Sequence, residues 1–277
     1  MKNTLNTSLL VLLLISAMIL TSCDNLNDTP NVQPDLSVVN DQAIVNRVFE
    51  DLDNITLNVL GSSGLGARTN VNIPATSLCD GATVTLDEAK KTIKIDFGTS
   101  CTGTYGTVRK GIVLLTYTGK IGFPGAKVTT TFEGYEVDGL KVEGTRTLLN
   151  KGVDLETNTI NLEVTIQNGK VTWPDNTFMT IVSKQERAIK LSSQGYEASI
   201  KGTVSGMSRE IMAYSGATTD PLVYTETCIK TGVTTPNSGI LVINYNGIDL
   251  SINYGSGSCD KKATITYPGG SKEVTLD

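Results

Sequence analysis

The chain has 277 residues, with 23 Lys and Arg against 28 Asp and Glu, a formal charge of −5, and no histidine at all. Imidazole is the commonest general base and metal ligand, so its absence excludes Ser-His and Cys-His nucleophilic catalysis and zinc centres that need it. An acidic chain with no basic cluster is also poorly suited to nucleic acid, where neutralising phosphate supplies most of the affinity.

Met1 and Lys2 precede an apolar run from Leu9 to Leu20, followed by Thr21, Ser22 and Cys23. A charge, a short apolar stretch and then small residues is the order of a secretory signal peptide, and the run is too short for a comfortable bilayer span. Leu20-Thr21-Ser22-Cys23 resembles a bacterial lipobox. That resemblance implies removal of residues 1–22 and acyl chains, palmitate among them, on the thiol and new amino group of Cys23. It places the protein in the cell envelope as a membrane-anchored lipoprotein, the outer membrane first, with periplasm-facing and cell-surface orientations both open. No polybasic patch is present to reinforce binding to anionic lipid, so the acyl chains on Cys23 would be the membrane contact.

Residues 23–39 read as the lipidated cysteine and a flexible tether: 24–36 is polar, carries Pro30 and Pro34, and has no periodicity. Over 40–60 the pattern becomes helical, with Val45, Val48, Phe49, Leu52, Ile55 and Val59 on one face. Asn40 or Asp41 is placed to cap the start, and Gly61 to end it in the left-handed region. Glu50, Asp51 and Asp53 fall mostly outside the apolar stripe. The following SSGLGARTN matches neither a dinucleotide nor a P-loop fingerprint, so it reads as a connector and no cofactor is expected.

From 71 to 277 the chain reads as one antiparallel β domain, a meander of long hairpins forming a curved sheet, half-barrel or sandwich. Ile160, Leu162, Val164 and Ile166 alternate with polar residues, as do Ile93, Ile95 and Phe97, and Ile248, Leu250, Ile252 and Tyr254. Ile112 to Leu115 is apolar throughout, predicting cover on both faces. Three dipeptides suit type I′ hairpins. Asp138-Gly139 would pair Val137 with Leu140, Glu136 with Lys141, and Tyr135 with Val142. Asn168-Gly169 would pair Ile166 with Val171 and Val164 with Trp173. Asn246-Gly247 would pair Tyr245 with Ile248, Ile243 with Leu250, and Leu241 with Ile252.

Four cysteines remain after Cys23, an even number suited to two disulfides in an exported chain. An internal repeat selects among the three connectivities. IKIDFGTSC (93–101) and LSINYGSGSC (250–259) each carry an alternating strand, an aromatic, a glycine and a cysteine, and each has an earlier cysteine before its hairpin. The expected pairs are Cys79–Cys101 and Cys228–Cys259.

Little in the chain points to catalysis. Ser258 and Lys261 stand in a Ser-x-x-Lys spacing, but the match lies in a turn and has no companion motifs. No Gly-x-Ser-x-Gly elbow or EF-hand loop occurs, and no metal site is expected. Glu133 and Glu143, with Lys127, Lys141 and Arg146, read as a solvated charged face. Lys184, Arg187 and Arg209 read as exposed charges that discourage edge-to-edge pairing. Trp173, facing Val164, reads as core.

The lipobox, tether, helix and Thr-rich hairpins together, with IKIDFGTSC, VTTTFEGYEVDGLKVEGTRT and INYGSGSCDKKATITY, resemble the cell-envelope lipoproteins of Bacteroidota. The resemblance implies an envelope lipoprotein and brings no catalytic residues. The leading reading is a non-catalytic, lipid-anchored structural or interaction module. Two others stand beside it: a carrier or sensor of a hydrophobic ligand in a helix-covered half-barrel, and a glycan-binding accessory protein. The partner is an envelope protein, a hydrophobic ligand or a glycan, and nucleic acid is not among them.

Overall fold

The computed structural model describes residues 34–65, 78–103, 106–193 and 195–276. The expected signal peptide, Cys23 and most of the tether lie outside them.

Helix α1 (Ser37–Ser62) starts earlier and ends later than its apolar periodicity predicts. Leu36 at the N-cap offers no side-chain bond, and the first turn is instead held by Asp35, whose Oδ1 accepts from the Ser37 amide at 2.9 Å. Asn40 and Asp41 are therefore inside the helix, not at its cap. Gly61 is helical too, and the left-handed residue is Gly64 at φ 71°. With no acidic residue in the first turn and no basic residue in the last, the helix gains little from its dipole. Packing must hold it.

The sheet is one antiparallel meander of fourteen strands, curved and not closed. Its first half runs through β1 (Thr83–Asp87), β2 (Thr92–Asp96), β3 (Cys101–Thr102), β4 (Val108–Tyr117), β5 (Lys127–Val137), β6 (Leu140–Asp154) and β7 (Thr159–Thr172). The second half adds β8 (Phe178–Ser192), β9 (Gly195–Met207), β10 (Ala213–Thr225), β11 (Ser238–Tyr245), β12 (Ile248–Ser256), β13 (Lys262–Tyr267) and β14 (Gly270–Thr275). A short helix, α2 (Glu226–Lys230), interrupts the connection from β10 to β11. Each strand pairs with the next along the chain, except that β3 sits beside β4 and off the main path.

The hairpin at Asn246-Gly247 has all three expected pairs, and that at Asp138-Gly139 pairs Val137 with Leu140 and Glu136 with Lys141. Beyond that, a bulge at Gly134 shifts the β5 register between Thr130 and Glu136. Asn168-Gly169 is not a hairpin. It lies within the single strand β7, which pairs with β6 on both sides of the dipeptide: Val142 with Val171, and Thr145 with Gln167. Asn168 has φ 51° and faces Gly144 at φ 116°, where an added Cβ would lie 2.7 Å from the Asn168 carbonyl oxygen. Asn-Gly supplies the positive φ that a bulge needs as readily as it supplies a turn. The turn itself comes later, where Trp173 N donates to Thr177 O at 2.9 Å.

The inner face of the sheet and the apolar stripe of α1 make one core. Val45, Phe49 and Leu52 pack in one cluster with Val113, Val164 and Ile181. Ile112 and Leu114 are only half-buried, so β4 is fully covered on one face and not both. Cys79–Cys101 and Cys228–Cys259 are bonded, with Cα atoms 5.7 and 5.0 Å apart. They brace the first strands and the last ones, and neither ties down α1.

Candidate functional site

The polar centre of the molecule is a seam between α1 and the inner face of the sheet. Arginines on three strands reach inward to the acidic edge of the helix. From β4, Arg109 donates through Nε and Nη2 to Asp51, the shortest contact being 2.6 Å. From β6, Arg146 Nη2 donates to Asp53 Oδ1. From β8, Arg187 donates through Nη1 to Asp53 Oδ2 at 2.6 Å, and through Nη2 to Glu50 Oε1 at 2.5 Å. Gln185, two residues away on the same strand face, accepts from Arg187 Nε at 3.0 Å. Three carboxylates thus meet three guanidinium groups.

The parity of the strands explains why these cations are inside. Arg109 is in phase with Val113 and Leu115, Arg146 with Leu148, and Arg187 with Ile181 and Ser183, all of them buried. Arg146 is 1% exposed and Arg187 8%. The expected roles of Arg146 and Arg187 as solvated charges are therefore overturned. Alternation along the strand was the available signal, since side chains two apart share a face. Chemical type was the misleading one. Likewise Glu50, Asp51 and Asp53 border the helix stripe because they meet this row of arginines.

Burial disfavours the Arg187 cation, but Glu50 and Asp53 outweigh it and hold its pKa above the ordinary guanidinium value. At Arg109, Asp51 likewise outweighs burial. Arg146 differs: burial pulls its pKa down, with Arg187 adding to the effect and Asp53 opposing it. Among the described residues its Nε and Nη1 have no partner, and Thr130 Oγ1, on the residue paired across from it, has none either. Burial also pushes the Tyr135 and Tyr224 hydroxyls upward, so both stay protonated.

A second cluster closes the start of the helix. Arg209 bridges Asp41 at 3.3 Å and Asp175 at 2.8 Å, and its guanidinium lies 4.6 Å from the Trp173 ring centroid. Trp173 packs against the core as expected. Arg209, expected as a free edge charge, instead fixes α1 to the β7–β8 turn. Lys184 is exposed and pairs with Glu163 at 3.4 Å.

The remaining candidates are scattered. Glu143 accepts from exposed Lys141 at 3.0 Å. Ser258 and Lys261 share no hydrogen bond, and Cys259 between them is in its disulfide. No group of three or more Cys, Asp or Glu among the described residues is arranged to hold a metal ion. Two clefts open at the surface. One of about 630 Å³ crosses the outer face of β7 to β12, with Val182, Thr203, Ala217 and Val242 in its lining. The other, about 360 Å³, lies against α1 between Arg47, Thr107, Asp138 and Lys261. Phe123 is the one exposed aromatic side chain among the described residues.

No family model, curated protein or solved structure matches this chain. The fold defines an open, helix-filled antiparallel sheet. Its buried seam is a structural clamp in which every carboxylate of the acidic edge is taken up by arginine.

Proposed function

We propose that this protein is a non-catalytic cell-envelope lipoprotein, anchored through acyl chains on Cys23, whose β domain is a structural or interaction module. The observation that carries the reading is the clamp: Glu50, Asp51 and Asp53 are each paired with Arg109, Arg146 or Arg187. A general base or nucleophile needs a free, reachable group, and here the acidic groups of the seam are spent on holding the helix. The concave face is occupied by the chain's own apolar side chains. What the molecule offers to others is its outer surface and its rims.

The test is incorporation of an alkynyl fatty acid in the producing cell. The reading expects label on the wild-type chain in the membrane fraction and none on Cys23→Ala. Equal labelling of both, or no label on either, contradicts the anchor.

A second reading, a carrier of a hydrophobic ligand, is favoured by one feature of the same seam. Among the described residues, buried polar atoms of Asp41, Gln42 and Thr56 on α1, and of Thr130 and Arg146 on the sheet, lack partners. Such atoms weaken an interface by about 1–3 kcal/mol each unless hydrated, so the helix is less firmly seated than its apolar stripe suggests. In that reading α1 leaves the trough to admit an acyl chain.

A further inference from the structure

We propose that the rim of the sheet formed by the β4–β5, β6–β7 and β8–β9 hairpin ends docks on the bilayer that carries the Cys23 anchor, an inference that rests on the lipobox reading. Eight large apolar side chains are exposed among the described residues, and four of them, Phe123, Val153, Leu155 and Leu191, stand on this rim. Phe123 is 65% and Leu155 87% exposed, each at the tip of its turn. Hydrogen bonds join the three hairpin ends into one surface. Gly125 N donates to Asn150 O at 2.7 Å, and Asn150 Nδ2 to Ile121 O at 2.7 Å. Leu191 N donates to Asn158 O at 3.0 Å, and Asn158 Nδ2 returns a bond to Leu191 O at 2.8 Å. The apolar tips therefore project from a braced edge.

Among the described residues, Lys120, Lys127, Lys151 and Lys190, which flank these tips, have no ion pair, and neither do Lys91, Lys170, Lys201, Lys261 and Lys272, whereas Lys90, Lys94, Lys110, Lys141, Lys184, Lys230 and Lys262 are paired. The rim also carries Asp154, Glu156 and Glu197, and Asp154 Oδ1 is engaged by the backbone amides of Glu156 and Thr157. A slight cationic excess around aromatic and aliphatic tips suits the headgroup layer, where apolar ends enter and lysine stems snorkel.

Reach permits contact with the anchoring membrane when the tether is extended. The start of α1 is fixed at the other end of the sheet, at Arg209. The eleven residues from Cys23 to Gln33 span at most about 36–40 Å. The 15 residues of β6 rise about 50 Å in all, and a strand tilted as in a barrel stands about 35–40 Å high. At full extension the tether just covers that height, which lets the rim touch the bilayer that holds the acyl chains.

The test uses the acylated full-length protein mixed with excess vesicles of phosphatidylcholine and phosphatidylglycerol. With four cysteines bonded and Cys23 acylated, Leu155→Cys provides a single thiol for an environment-sensitive fluorophore, and Lys141→Cys at the opposite end of β6 is the control. Flotation reads the anchor, and emission reads the rim. Docking predicts flotation of both proteins, a blue shift at position 155 and none at 141. Lys120→Glu should lower the ratio of inserted to free rim at least about five-fold on these anionic vesicles. Flotation with no shift at 155, or an equal shift at 141, overturns the docking and leaves the anchor standing. No flotation overturns the anchor and the tethered docking with it.

Discussion

Asp53 is shared by two buried arginines: its Oδ2 accepts from Arg187 Nη1 at 2.6 Å, and its Oδ1 accepts from Arg146 Nη2. One carboxylate on the helix thus neutralises cations on β6 and β8. Removing it leaves Arg146 buried without a carboxylate and Arg187 with Glu50 alone. Asp53→Ala should cost about 3–5 kcal/mol, the range for breaking a buried pair by deleting one partner, measured by urea unfolding. Arg146→Met should fall within about 1.5 kcal/mol of wild type. It deletes a buried cation with two unpartnered donors, and Asp53 keeps Arg187. Equal losses for the two variants would contradict the shared-carboxylate account.

The bulge glycines should be sharply graded. Gly111 has φ 79°, and an added Cβ would lie 2.2 Å from the Gly134 carbonyl oxygen, whereas Gly152 at φ 135° has open space around it. Both alanine variants carry backbone strain of about 1–3 kcal/mol. Gly111→Ala must also push two strands apart, so its loss in chemical denaturation should be clearly the larger.

Each disulfide closes a loop, of sequence separation 22 for Cys79–Cys101 and 31 for Cys228–Cys259. On the chain-entropy model these stabilise by about 3–4 kcal/mol each. Paired alanine variants at either bridge should lower the urea midpoint by similar amounts, and a non-reducing peptide map should link no cysteine of one bridge to the other.

Asp41 should show an inverted pH dependence. Burial raises its pKa, with Arg209 opposing, so the folded state binds a proton more tightly than the unfolded chain does. Stability from this group is present below its unfolded pKa and is lost as pH rises through the raised folded value. Asp175 runs the other way: Thr177 and Arg209 lower its pKa, so its contribution is present at neutral pH and is lost as pH falls through its folded value. Asp41→Asn should therefore gain stability relative to wild type as pH rises above the unfolded Asp41 value. A difference independent of pH would contradict this.

Most of the fold is visible in the amino-acid order because local signals agree. The helix stripe, the alternating strands around Ile95, Ile166 and Leu250, and the repeat that pairs the cysteines all point one way. The failures have physical causes. Asn168-Gly169 carries a positive φ that a bulge uses as well as a turn, and local sequence does not separate the two. Arg109, Arg146 and Arg187 were hidden by charge: their parity assigns them to the inner face, but a buried arginine requires partners from a distant helix. Glu50, Asp51 and Asp53 are those partners, separated from Arg187 by more than 130 positions. Only the folded chain brings them together.

Hydrogen exchange along α1 in the acylated protein, with and without added fatty acid, separates a fixed helix from a displaceable one. A module whose trough is permanently filled by its own clamped helix predicts that amides over 45–60 exchange as slowly as those of β6 and β7, unaffected by the fatty acid. Exchange in α1 ahead of the sheet, accelerated by the fatty acid, would contradict it and make the helix a displaceable cover.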